Sequence, residues 1–280
     1  FNGIFNLNYP LGHMSGVTVL FKSLQNGATM VIFNRPATSE TILSAVEKYR
    51  ISCLILSATL SVDLLKSDIA SRFDLSSVKL MLYGGAKFPL TVSLGLVEKY
   101  KVRIQEAYGT TEFMNPLKSL VSTYQPGNLG SPAANVEMKV VHLQTGLSLP
   151  AELKGEVCFR GPNCFVRYVA NDQAYREVVD SEGWYHTGDI GYYDKSGSLF
   201  LLDRLNELIK YKYFSVAAAE VESFLMTHCA IKEVCVVGVK HATEGYHSRA
   251  YVQLVPGKVA TESEIVQYAQ GRSYKKIQFR

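Results

Sequence analysis

Along residues 1–115 the apolar positions switch repeatedly between a helical period and short continuous runs, as helices alternating with buried strands do. Residues 15–26 read as a helix stopped by Gly27, followed by a short strand from Ala28 to Phe33. Thr38-Ser39-Glu40 opens a helix that sets Ile42, Leu43, Val46 and Tyr49 on one face, and ISCLIL (51–56) is the next strand. A helix over 60–70, the strand VKLMLY (78–83) running into Gly84-Gly85, a helix over 90–100 and a strand from Val102 to Glu106 complete the series. This alternation predicts a mainly parallel sheet covered by helices, an α/β arrangement.

The texture changes after Pro116. Short strands recur at MKVV (138–141), GEVCFRG (155–161) and GSLFLLDR (197–204), with Gly, Pro and Asn between them, which suits a small β-barrel or sandwich. Beyond Arg204 a helix carries Val221, Phe224, Leu225 and His228 on one side. Strands KEVCVVGV (232–239) and RAYVQLV (249–255), a helix opened by the capping box Thr261-x-x-Glu264, and a last strand KKIQFR (275–280) make a small α+β unit. The expected organisation is therefore an α/β part over 1–116, a β-barrel-like part over 117–203 and a small α+β domain over 204–280.

Composition narrows the class. With 280 residues, 47% of them hydrophobic, the chain can bury a sizeable core, and two units are the default for this length. A disordered or collagen-like chain is excluded, and no apolar run reaches the roughly eighteen residues of a membrane helix. The formal charge of +4 is spread without a basic block, which argues against a nucleic-acid partner. Five cysteines (53, 158, 164, 229 and 235) show neither a CxxC pair nor a zinc spacing. Cys53 and Cys235 lie in apolar runs and read as small buried hydrophobes in a reducing, intracellular setting. The chain opens on Phe1 with no visible signal peptide.

Four stretches carry candidate chemistry, each with a bland alternative. Tyr108-Gly109-Thr110-Thr111-Glu112 leaves the carboxyl end of a buried strand, the edge where open α/β sheets bind ligands. Its ring, glycine, hydroxyls and carboxylate suit stacking, close backbone approach, phosphate and Mg²⁺; a polar turn would look the same. Gly84-Gly85-Ala86 either leaves a slot for a flat ring or turns the chain. Gly183-Trp184-Tyr185-His186-Thr187-Gly188-Asp189 ends in an acid suited to a ribose diol or to capping a turn. The stretch from Leu202 to Lys212 falls at a unit junction, where Asp203 to Asn206 is either a hinge or a solvated linker. His13 either lines a pocket or caps the helix after it. His142, His228, His241 and His247 share no ligand spacing and read as surface or packing residues.

In this order and at these separations, YGTTE, GWYHTGD and DRLNELIKYK resemble the adenylate-forming superfamily: acyl-CoA synthetases, 4-coumarate–CoA ligases, insect luciferases and peptide-synthetase adenylation domains. The resemblance covers essentially the whole chain. It implies attack of a hydrophobic carboxylate, fatty or aryl, on the α-phosphate of Mg·ATP, and then transfer of the acyl group to coenzyme A. By resemblance, Tyr108 would stack on adenine with Gly85 and Ala86 opposite and Gly109 beside it. Thr111 would bond the α-phosphate, Glu112 would help hold Mg²⁺, and Asp189 and Arg204 would bind the ribose. His13 would sit near the substrate carboxylate, and Lys210, on a mobile small domain, would enter the site for the second step.

The same resemblance places a Ser/Thr/Gly-rich phosphate loop with its lysine before Phe1, and a catalytic lysine after KKIQFR. These 280 residues contain neither, so the expectation is that they adenylate poorly on their own. Tyr213 and Ala218 stand where the family carries glycine and proline, and Gly245-Tyr246-His247-Ser248 stands where it carries Gly-Glu-x-Pro. A catalytically dead ligand-binding paralogue and a luciferase that follows adenylation with oxygenation are the alternatives. The branch resembled points to a peroxisomal or cytoplasmic protein.

Overall fold

Residues 53–56 give the first part of the chain its centre: Cys53, Leu54, Ile55 and Leu56 are all at most 2% exposed, as in a strand covered on both faces. The computed structural model describes residues 3–33, 37–85, 88–118, 125–211, 214–241 and 243–270, without the side chains of 214 and 215. In chain order the first elements are β1 (Ile4–Leu7), α1 (Met14–Gln25), β2 (Thr29–Ile32), α2 (Ser39–Tyr49), β3 (Cys53–Leu56), α3 (Ala58–Lys66), β4 (Leu80–Gly84), α4 (Leu90–Tyr100) and β5 (Arg103–Ala107). The five strands form a sheet in the order β2-β1-β3-β4-β5 with every pairing parallel, as the alternating pattern predicts. A buried asparagine joins two of its strands: Asn6 Oδ1 accepts from the Ile55 N–H at 2.6 Å, and Asn6 Nδ2 donates to the Ile55 carbonyl at 3.0 Å.

Local chemistry sets the ends. Thr38 and Ser57 accept side-chain caps from the N–H groups of Thr41 and Leu60, and Gly27 turns the chain out of α1 at φ +62. The helix expected over 60–70 is two pieces, because Ser67 ends α3 and its hydroxyl caps a short 3₁₀ turn, Asp68–Arg72. On α2, Ile42, Leu43 and Val46 are buried, but Tyr49, the last residue of the helix, is 45% exposed.

The middle of the chain contributes β6 (Leu117–Lys118), β7 (Ser131–Pro132), β8 (Glu137–Val141), β9 (Gly155–Arg160), α5 (Asp172–Val178), β10 (Tyr185–Tyr193) and β11 (Leu199–Arg204). β6 pairs antiparallel with β7, and the longer strands form a sheet of order β11-β10-β9-β8. The strand β10 runs through residues that read from sequence as a motif in a turn, and Asp189 lies inside it.

The last elements are β12 (Leu208–Tyr211), β13 (Phe214–Ala217), α6 (Ala218–Leu225), β14 (Ile231–His241), β15 (Gly245–Leu254) and α7 (Glu262–Gln270). They form an antiparallel sheet of order β13-β12-β15-β14 with two helices, a small α+β region. The Thr261 capping box is complete: Glu264 Oε2 accepts from the Thr261 N–H at 2.7 Å, and Thr261 Oγ1 accepts from the Glu264 N–H at 3.3 Å. KKIQFR lies outside the described residues.

By compactness the chain divides into two units, residues 1–138, 158–187 and 194–199 in one, and 139–157, 188–193 and 200–280 in the other. None of the five cysteines is in a disulfide, and Cys53 and Cys158 are buried. The expectation for Cys235 is corrected: β14 buries Val236, so strand alternation turns Cys235 outward, and it is exposed. Among the described residues no helix is long and apolar enough to cross a membrane.

Candidate functional site

Two neighbouring strand ends build the centre of the first unit. Gly84, the last residue of β4, lies opposite Ala107, the last residue of β5. The chain therefore leaves both strands at the carboxyl edge of the sheet, through Gly85 on one side and Tyr108 on the other. Gly85 has φ +90, a conformation that L side chains rarely adopt, and among the described residues a Cβ there would meet nothing within 4 Å. Among those residues the space beside that backbone is open. Ala86 lies outside the described residues.

After β5, Tyr108 packs its ring at 5.9 Å from that of Phe159, which is fully buried. Gly109 runs close to the returning chain, since a Cβ there would lie 3.1 Å from the Asn115 nitrogen. The next residues form a tight turn: the Thr110 N–H donates to the Phe113 carbonyl at 3.2 Å, and Thr110 Oγ1 accepts from the Phe113 N–H at 3.0 Å. The two threonines thus divide their duties. Thr110 holds the turn, and Thr111 is exposed.

Glu112 is anchored by two phenols. Tyr168 donates to Oε1 at 2.8 Å and Tyr185 to Oε2 at 3.5 Å, and the Glu112 carbonyl accepts from the Phe165 N–H at 2.7 Å. Burial first, then the bond to Glu112, pushes the Tyr168 phenol up to about 12, so it stays a donor across the neutral range. Beneath this turn Phe113, 1% exposed, packs against Phe159 and Tyr185. Tyr168 and Tyr185 were not assigned roles from sequence. They stand 56 and 73 residues from Glu112, and no local period links a phenol to a carboxylate over such separations.

His13 caps the helix that follows it. It is exposed at the start of α1, where its Nδ1 accepts from the Ser15 N–H at 3.1 Å and caps the helix. The same helix is tied to the Glu112 loop: Thr18 Oγ1 lies 3.3 Å from Met114 Sδ, and Lys22 Nζ donates to Asn115 Oδ1 at 3.2 Å. His186 is held at 3.5 Å from Cys158 Sγ and 3.6 Å from Asp180 Oδ2, structural partners for an imidazole.

In the second unit Asp189 is buried, with its side chain 8% exposed, and Arg204 Nε lies 3.4 Å from its Oδ1. The Arg204 side chain is 64% exposed, so this pair sets a buried carboxylate beside an exposed guanidinium. Asp203 is buried beside it: Oδ1 accepts from the Arg204 N–H at 2.8 Å and Oδ2 from the Ala219 N–H at 3.2 Å. Ala217 supplies no side-chain cap to α6, so Asp203 caps that helix from a distance. Lys210 points to solvent on β12, next to the buried Ile209, and Lys212 and Tyr213 lie outside the described residues.

Within the first unit the fold brings Gly85, Tyr108, Gly109, Thr111 and Glu112 to one sheet edge. Within the second it brings Asp189 and Arg204 together.

The AMP-binding enzyme family matches residues 5–169, more than half of the chain, and the AMP-binding enzyme C-terminal domain matches residues 220–278. The chain is 34% identical over 268 residues to 4-coumarate-CoA ligase 1 of Narcissus pseudonarcissus, covering 92% of this chain and 49% of that protein. It is 35% identical over 264 residues to luciferin 4-monooxygenase of Nipponoluciola cruciata, covering 92% and 47%. The chain thus spans about half the length of the curated relatives it matches. Among solved structures, o-succinylbenzoate coenzyme A synthetase (MenE) of Bacillus subtilis in complex with ATP and magnesium ion superposes with a TM-score of 0.82 at 28% identity, over 99% of this chain and 57% of that one. The amide bond synthetase McbA of Marinactinospora thermotolerans superposes with a TM-score of 0.84 at 25% identity, over 98% and 55%.

Proposed function

Because the chain belongs to the AMP-binding enzyme family, we propose that it forms the nucleotide-binding part of a ligase that activates a hydrophobic carboxylic acid, aryl or fatty, with ATP and passes it to coenzyme A. The observation that carries this reading is the convergence of Gly85, Tyr108, Thr111 and Glu112 at the carboxyl edge of β4 and β5.

In the first step an oxygen of the substrate carboxylate bonds to the α-phosphorus. The α–β bridging P–O bond breaks, and pyrophosphate leaves with the electron pair. In the second step the coenzyme A sulfur bonds to the acyl carbon, AMP leaves, and the thiol proton passes to solvent. Tyr108 offers a ring face for adenine, its far side backed by Phe159, and the open space at Gly85 admits the opposite face. Thr111, unencumbered by the turn, donates to the α-phosphate. Asp189 accepts from the ribose hydroxyls, and Arg204 donates to them. His13 stands at the substrate carboxylate, and Lys210 belongs to the thiol-transfer arrangement, carried by the small α+β domain as it moves.

Glu112 fits a Mg²⁺ ion: its two oxygens are oriented by phenols that occupy only part of their lone-pair capacity, and hard carboxylate oxygen is what this ion takes. The ion would neutralise charge on the phosphate oxygens. The 280 residues contain no Ser/Thr/Gly-rich phosphate loop with a lysine, so this chain on its own binds nucleotide better than it turns it over.

Calorimetry with AMP and with a non-hydrolysable acyl-adenylate mimic is the test. Saturable one-to-one binding, weakened about tenfold or more by Tyr108→Ala, supports the reading; no binding, or binding indifferent to that change, overturns it. A second reading, adenylation followed by oxygenation, draws on the 35% identity to luciferin 4-monooxygenase. Light emission with luciferin, ATP and oxygen tests it.

A further inference from the structure

The β14–β15 hairpin brings together three side chains that the sequence separates. In its register Val239 lies opposite His247 and His241 opposite Gly245. Residues 239 and 241 share a face of β14, and 245 and 247 share a face of β15, so His241 and His247 are diagonal neighbours on one face. Their rings stack with centroids 4.2 Å apart and planes 17° from parallel. Glu244, in the connecting turn, folds back onto this face, with its Oε2 2.8 Å from His247 Nε2.

We propose that this hairpin end binds one divalent transition-metal ion of the Zn²⁺ class through His241, Glu244 and His247. One ligand atom from each residue lies within 4.8 Å of the other two. Metal–ligand bonds of about 2.0–2.2 Å in a tetrahedral shell bring donors to about 3.4 Å from one another. Near-parallel rings aim their in-plane lone pairs side by side, so the His241 ring must also turn out of the stack; His241 and Glu244 keep enough exposure for these torsions, while the His247 side chain is 9% exposed. Two imidazoles and one carboxylate are the donor set for Zn²⁺ and its neighbours, with a fourth position left for water, and not for Mg²⁺ or Ca²⁺, which take oxygen.

The neighbouring strand ties the site to the rest of the unit. Tyr211 pairs with Gly245, and its ring meets the His247 ring edge-on at 5.3 Å. An ion here would fasten the hairpin end against β12, the strand that carries Lys210. None of this is visible in the spacing His-x₅-His, because the turn and the strand register create the cluster.

The test is calorimetric titration of the tag-free, chelator-stripped chain with Zn²⁺, together with Co²⁺ absorption spectra. The expected result is one saturable site, with a Co²⁺ spectrum lacking the intense thiolate-to-metal band, since no cysteine takes part. His241→Ala should lower the affinity about tenfold or more, and so should Glu244→Gln. His241 lies near the surface, so its variant keeps the fold, which circular dichroism checks. The absence of a saturable site, unchanged affinity in folded His241→Ala, or a thiolate band would each overturn the proposal.

Discussion

The hydroxyl of Tyr168 donates to Glu112 Oε1 at 2.8 Å, across 56 residues of sequence. It fixes the direction of a carboxylate that follows directly on the exposed Thr111. Tyr168→Phe keeps the ring and removes this one bond. A hydrogen bond to a charged group contributes about 1.5–3 kcal/mol, and partial exposure puts this one at the low end. The expected outcome is roughly a tenfold loss of Mg·ATP affinity with AMP affinity nearly unchanged, because AMP binds without the ion. Equal losses for both nucleotides would mean that Tyr168 only supports the fold.

The same phenol gives the chain an alkaline limit. Tyr168 is pushed up to about 12, by burial first and by Glu112 second; Tyr83 is also pushed up to about 12, by burial first and then by Tyr9 and Glu106. The folded values lie above the ordinary value of about 10, so these groups contribute their full stability below about pH 10 and lose it as pH rises toward about 12. Urea midpoints of the wild type should fall over that range, and those of Tyr168→Phe should fall less steeply. Parallel curves for the two proteins would dismiss the assignment to Tyr168.

Thiol labelling separates the cysteines by burial. Cys229 and Cys235 are exposed, and Cys53 is buried, with burial pushing its thiol up to about 12. Since the thiolate is the reactive form, Ellman's reagent should modify Cys229 and Cys235 quickly in the native chain. Cys53 and the buried Cys158 should react only on unfolding. Peptide mapping after a short exposure identifies the modified residues; native labelling of Cys53 would contradict its place in β3.

The parallel sheet was legible because its elements announce themselves locally. Thr38 and Gly27 bound their helices as expected, and the run at 53–56 has the composition of a doubly covered strand. The Cys235 expectation failed for want of one fact, the face that β14 turns to solvent, which an apolar run does not encode. Tyr108, Thr111 and Glu112 were legible as a candidate site from residue types at a strand end. The partition between Thr110 and Thr111 was not, because it depends on the Phe113 backbone returning to Thr110. Tyr168 at Glu112, Asp203 at α6 and the pairing of His241 with His247 were hidden for the same reason: each is a contact made by the fold between residues with no shared local pattern.

Asp203 should matter more to stability than its place among charged residues suggests. One carboxylate serves the Arg204 N–H and the Ala219 N–H, the latter in the first turn of a helix that has no side-chain cap of its own. Asp203→Ala leaves both N–H groups short of an acceptor and should lower stability by about 1–2 kcal/mol. Asp203→Asn, which keeps an acceptor oxygen, should lose about half as much. A shift in the urea midpoint with an unchanged slope measures this, and an Asp203→Ala protein as stable as the wild type would show that α6 needs no cap there.

Asp189 and Arg204 lie 3.4 Å apart, but the two side chains are 8% and 64% exposed, and the effects of removing them should differ accordingly. An exposed arginine in such a pair adds about 0–1 kcal/mol, so Arg204→Ala should leave stability close to wild type. If Arg204 also donates to a ribose, AMP affinity should fall a few-fold, and the loss should shrink as salt rises and screens the guanidinium. Asp189→Asn keeps the buried shape but replaces one acceptor oxygen with a donor, which cannot accept from a ribose hydroxyl. Its AMP affinity should fall about tenfold, and raising the salt should restore little of it. Calorimetry with AMP and with 2′,3′-dideoxy-AMP completes the argument. The ligand without ribose hydroxyls should bind weakly to the wild type, and about equally weakly to Asp189→Asn. A further tenfold loss for that ligand in the variant would mean that Asp189 acts through the fold and not through the ribose.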